Sequence, residues 1–173
     1  LDFWFHELDN ARRFGKDAAL DAAISERFGA TLQAAIRGEL QAWRATPAGR
    51  LAEIVVLDQF SRNIWRDTPQ AFAQDPQALT LAQELVASGL SEALPPDQRA
   101  FAFMPFMHSE SGLIHSRAES LFSQPGLEGT LAFELQHRDI IERFGRYPHR
   151  NAILGRLSTA EEVAFLTQPG SSF

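Results

Sequence analysis

The chain has 173 residues, 45% of them apolar and 22% charged, with a formal net charge of −6 and no cysteine. That length and balance suit one domain spanning residues 1–173 with its own hydrophobic core. They exclude a disulfide framework, a thiolate metal site and a cysteine nucleophile, and the acidic balance argues against nucleic acid as a partner.

The chain opens at Leu1, with Phe3, Trp4 and Phe5 close behind, and a few residues before Leu1 are expected to be missing. Asp17 is placed to cap a helix whose stripe runs Leu20, Ile24, Phe28, Leu32, Ile36, Leu40 and Trp43, with Gly29 and Gly38 as the points where it breaks or kinks. Thr46-Pro47 is a helix start, a cap followed by proline in the first turn, and that helix carries Leu51, Ile54 and Val55. Thr68-Pro69 and Asp75-Pro76 repeat the signal. The Asp75 helix carries Leu79, Ala82, Leu85 and Val86 and ends at Ser88-Gly89.

Pro95-Pro96-Asp97 opens an aromatic segment through Phe101, Phe103, Met104, Phe106 and Met107, which Pro105 is expected to kink or end. A helix around Leu113 to Phe122 follows. After Pro125-Gly126 a long helix runs from about Leu127 to Phe144 and stops at Gly145. Ser158 with Glu161 three residues on reads as a capping box for a last short helix, and the tail from Pro169 to Phe173 reads as a turn. No segment alternates like a strand, and no apolar run approaches the ~20 residues of a membrane span. No signal peptide is visible. The expectation is therefore an all-α, cytoplasmic domain without a membrane contact, its helices stacked as antiparallel neighbours.

The polar residues are less routine. On a helical wheel Asp58 and Arg62 fall inside the stripe set by Leu51, Ile54 and Val55, four residues apart and able to pair. In the long helix Glu134, His137, Arg138 and Glu142 fall into the arc of Leu135, Ile140, Ile141 and Phe144, and Glu134 can pair with Arg138. Buried charge is costly unless compensated, so each of these needs a partner. Lysine occurs at Lys16, and the other fifteen basic residues are arginine, five of them between His137 and Arg156 against two acids. Arginine suits planar, bidentate contact with carboxylate or phosphate.

Several stretches carry a family likeness. They are Asp58-Gln59-Phe60-Ser61-Arg62-Asn63-Ile64-Trp65-Arg66 with Thr68-Pro69-Gln70-Ala71-Phe72-Ala73, then Met104-Pro105-Phe106-Met107-His108-Ser109-Glu110. His137-Arg138-Asp139-Ile140-Ile141, Phe144-Gly145-Arg146-Tyr147-Pro148-His149-Arg150-Asn151 and Leu154-Gly155-Arg156 extend it. In these the chain resembles a mostly bacterial family known as domain of unknown function nine-two-four, over essentially its whole length. Ser61 stands where proline is common in that family, and Tyr147 where phenylalanine is common. The resemblance implies an all-helical, tetratricopeptide-like fold and implies no activity.

The leading functional expectation is a pocket for a small anionic molecule, built from Arg62, Asn63, His108, Arg138, His149 and Arg150. A hydrolase would use His108 or His137 as base with Glu110 orienting it. A metal site would draw on His108, Glu110, His149 and the Glu134-x-x-His137 pair. A di-iron site needs a second such pair, and none is visible, so no metal or cofactor is assigned. A protein-interaction module would bind a protein segment on a groove lined by Trp4, Trp43 and Trp65. A purely structural reading pairs Asp58 with Arg62 and Glu134 with Arg138 to fix helix register.

Overall fold

The computed structural model describes residues 1–172; Phe173, the end of the tail turn, lies outside the described residues. The fold is all-α. Nine α-helices and no strand occur among the described residues: α1 (Asn10–Phe14), α2 (Ala18–Ile36), α3 (Pro47–Val55), α4 (Ser61–Ile64), α5 (Asp75–Ala87), α6 (Pro96–Met107), α7 (Gly112–Phe122), α8 (Glu128–Phe144) and α9 (Ala160–Leu166). Helices next to each other in sequence pack together, α5 on α6, α6 on α7 and α7 on α8, while α3 contacts both α5 and α6.

The cap signals act as local chemistry requires. Asp17 Oδ1 accepts the amides of Ala19 and Leu20 at 2.9 and 3.1 Å, and Thr46 Oγ1 accepts Gly49 N–H at 3.0 Å. These satisfy donors that a helix start otherwise leaves open. Gly29 lies within α2 without breaking it, whereas Gly38, at φ 73°, supplies the left-handed turn after its end. The stripe beyond it is therefore not helical with α2: Trp43 sits in a short 3-10 turn and is 38% exposed. The capping box is one residue later than expected, formed by Thr159 and Glu162.

Not every segment follows its expected wheel. Between α3 and α4 the backbone runs through a π-helical turn, Val56–Phe60. A wider turn breaks the 100° spacing, and all five of its residues are buried, Asp58 and Gln59 included. Pro105 does not end α6, which continues to Met107 before its carbonyls are closed by His108 N–H. Pro105 leaves the Phe101 carbonyl without its helical donor, and α6 runs only two residues further.

Trp4, Leu20, Ile24, Leu32, Leu51, Ile54, Leu57, Phe103, Phe106 and Phe122 are fully buried and bring α2, α3, α6 and α7 into one core. Replacing Phe103 by Ala should cost about 3–5 kcal/mol, the transfer and cavity loss of a buried ring. Asp17→Ala should cost about 1 kcal/mol through the lost cap. Urea denaturation of both variants checks the contrast.

Candidate functional site

The π-turn between α3 and α4 places Asp58 in the interior with its side chain 1% exposed. An ionised carboxylate there needs partners on both oxygens. Oδ1 lies 2.7 Å from His108 Nδ1, and Oδ2 accepts Gln59 Nε2 at 2.6 Å. Arg62 Nη1 stands 3.3 Å from Oδ1 and donates to the Asp58 carbonyl at 2.7 Å. Burial disfavours the Asp58 charge, but His108 and Arg62 outweigh it and hold the carboxyl well below the usual range.

Arg62 then reaches across to α5. It forms a two-pronged contact with Asp75, at 2.8 and 3.0 Å. Asp75 was read from sequence as a helix cap; Gln74 holds that position and Asp75 is the first helical residue, its carboxylate turned to arginine instead. Arg150, in the turn after α8, donates from Nη1 to Asp75 Oδ2 at 3.2 Å. The Arg150 guanidinium is 4.6 Å from both the Phe72 and the Tyr147 ring centres, so two aromatic faces carry part of its charge.

Phe72, Asp75, His108, Glu110, Arg150 and Leu154 line a cavity of about 330 Å³. The lining carboxylate of Glu110 is held by Arg156 at 2.6 and 2.9 Å and by the Tyr147 amide at 2.8 Å. Asp75 is likewise occupied. Arg150 is not saturated: its side chain is 8% exposed, and its Nε has no hydrogen-bond partner among the described residues. Burial, and then Arg62, push its pKa down, yet a guanidinium stays charged.

The expected site residues thus divide. Arg62, His108 and Arg150 come together around Asp58 and Asp75. Glu110 lines the same cavity, but Asp58 rather than Glu110 is the carboxylate on His108. His149 packs its ring 5.6 Å from that of Tyr147. Asn63 faces elsewhere, donating to Asp21 Oδ1 at 2.8 Å beside Arg66, and so ties α4 to α2. Arg138 is not part of the cavity lining; it pairs with Glu119 on α7 at 2.7 Å and with Glu142 at 3.3 Å.

Glu134 does not pair with Arg138. It is fully buried and meets His115 Nδ1 at 2.7 Å, while His115 Nε2 donates to the Ser109 carbonyl at 2.8 Å. The shorter reach to an imidazole on the facing helix wins over an arginine that can keep its charge in water. Since a carbonyl only accepts, Nε2 carries a proton, and a second proton is shared between Nδ1 and Glu134. Burial raises the Glu134 pKa more than His115 lowers it.

Sequence reasoning passed over His115 and Tyr147. The signal for His115 was available, since it lies three and seven residues before the buried Ala118 and Phe122. His137 Nδ1 donates to the Phe133 carbonyl at 2.8 Å, spending its proton within α8. Among the described residues no three of His, Asp and Glu gather with metal-ligand spacing.

Burial depresses the histidines, His137 from 6.5 to about 3 and His149 from 6.5 to about 4, the latter with Arg150 as the next cause. Between those values and 6.5 the unfolded chain binds more protons, so stability falls as pH falls. Asp58 acts in the same sense lower down: its contribution is complete above about 3.9 and is lost as pH falls through its depressed folded value. Glu134, raised, has the opposite sign and loses its contribution as pH rises. His137→Gln should therefore flatten the stability–pH curve between pH 6.5 and 4 by up to about 1.4 kcal/mol per pH unit. Urea melts across that range read the slope, and an unchanged slope would contradict a neutral buried imidazole.

The Agrobacterium tumefaciens protein of unknown function ATU0120 has a solved structure that superposes with a TM-score of 0.90 at 41% sequence identity, covering 95% of this chain and 93% of that one. No curated protein matches the sequence. A bacterial family of unknown function, DUF924, matches residues 1–170. Nearly the whole chain, the Asp58 turn and the Arg150 turn included, falls within that match, and the chain belongs to the DUF924 family.

Proposed function

We propose that the chain binds a small anionic molecule, a carboxylate in preference to a phosphate, in the cavity between α5, the end of α6 and the turn after α8. The observation that carries this reading is Arg150. The Arg150 side chain is 8% exposed, borders the cavity and spends Nη1 on Asp75, and a guanidinium so buried binds an anion more strongly than one in open water. Arg62 shares its charge between Asp58 and Asp75 and is less available.

The surroundings narrow the ligand. Phe72, Leu79, Leu154 and three prolines give the cavity apolar walls. About 330 Å³ is at the low end for ligand pockets, so the occupant is small. Asp75 and Glu110 stand next to Arg150, and their charge opposes a phosphate dianion more than a carboxylate. An apolar body with one terminal carboxylate fits these features.

Thermal denaturation with butyrate, glutarate, benzoate and inorganic phosphate tests the reading. A carboxylate at about a hundred times its dissociation constant should add about 2.7 kcal/mol, a rise of roughly 5–10 °C in Tm for a chain of this size. Arg150→Gln should keep its own cooperative transition and lose the rise. Equal stabilisation of wild type and Arg150→Gln, or none by any of the four anions, would overturn it.

A further inference from the structure

The same cavity holds a second arrangement, which rests on the binding reading above. Asp58 is ionised and can only accept, so the 2.7 Å contact fixes the proton of His108 on Nδ1. Its Nε2 is then the lone-pair nitrogen. His108 lines the cavity, and Nε2 makes no hydrogen bond among the described residues. Gln59 and Arg62 hold the Asp58 carboxylate from its other sides, so the imidazole cannot easily turn away.

Asp75 and Glu110 are occupied by arginines, which leaves His108 as the lining group placed to take a proton. Ser109 is the hydroxyl residue in the cavity lining, but it makes no hydrogen bond to His108, and its carbonyl is anchored on His115. The base is thus placed to serve a water molecule rather than a serine nucleophile.

We propose that Asp58 and His108 form an acid–base dyad in which His108 Nε2 activates water to hydrolyse an ester of a small carboxylate anchored by Arg150. Nε2 takes one proton from water as the water oxygen bonds to the acyl carbon. The acyl carbon–oxygen bond then breaks, and the imidazolium returns that proton to the departing alkoxide. The products are a carboxylic acid and an alcohol, and His108 ends neutral. Asp58 is a positioning residue: it sets the tautomer and balances the imidazolium charge.

Two measurements decide this. Long-range proton–nitrogen spectra of 15N-labelled protein at pH 8, with the His108 signals identified by their loss in His108→Gln, should show the Nδ1–H tautomer, and Asp58→Asn should shift it. Wild-type protein should release nitrophenolate from the 4-nitrophenyl half-ester of glutaric acid about a hundredfold faster than His108→Gln, in the range general-base catalysis supplies. Gln at position 108 can still donate to Asp58, and in Asp58→Asn the amide keeps the carboxylate shape while Asp75 still holds Arg62. An Nε2–H tautomer, or a wild-type rate no greater than that of His108→Gln, overturns the dyad. Tm shifts with glutarate separate the two ideas: stabilisation without hydrolysis removes the chemistry alone, and neither effect removes the pocket as well.

Discussion

One buried carboxylate organises this molecule. Asp58 is placed in the interior by a helix that widens into a π-turn, and its charge has to be compensated there. The compensation recruits His108 from the end of α6 and Arg62 from the next turn. Arg62 recruits Asp75 at the start of α5, and Asp75 recruits Arg150 from the turn after α8. Four segments far apart in sequence are thereby held in one place by successive charge pairing. The pairing runs out at Arg150, where part of a guanidinium faces a cavity instead of a carboxylate.

A second set of polar contacts supports that cavity from behind. Glu110 is clamped by Arg156 and by the Tyr147 amide, and the Tyr147 hydroxyl donates to the Met107 carbonyl. His115, set by Glu134 on α8, fixes the Ser109 carbonyl. The stretch from Met107 to Glu110 is therefore held through the Met107 and Ser109 carbonyls and the Glu110 side chain, which is a demanding way to support a short irregular stretch. His108 lies within that stretch. Rigid placement of a histidine between a buried acid and a cavity is costly in entropy, since three elements must be ordered to achieve it.

Other ion pairs on the chain do simpler work. Arg66 grips Asp21 in a two-pronged contact and fastens α4 to α2, while Arg44 does the same for the fully buried Glu53. Arg146 fastens Glu162, which also closes the capping box of α9. In each the arginine keeps contact with water while its carboxylate partner is more buried, the arrangement that long side chains favour. None of these pairs borders the cavity next to α5.

What sequence alone determined was local. Caps at Asp17 and Thr46, glycines at 38, 89 and 145, and stripes of leucine and isoleucine follow from backbone sterics and a 3.6-residue period, so the all-α class and most helix limits were legible. The same period placed Asp58, Glu134 and His137 on buried faces, and it also placed Glu142 there, whose side chain is 62% exposed. Their partners were decided only in three dimensions. Asp58 met a histidine fifty positions on, Glu134 met His115 rather than its helical neighbour Arg138, and Asp75 left its expected cap for two arginines. A helical wheel records which side of one helix a charge occupies. It holds no information on what the next helix brings opposite, and in an interior of low dielectric that facing group sets the energy of the charge.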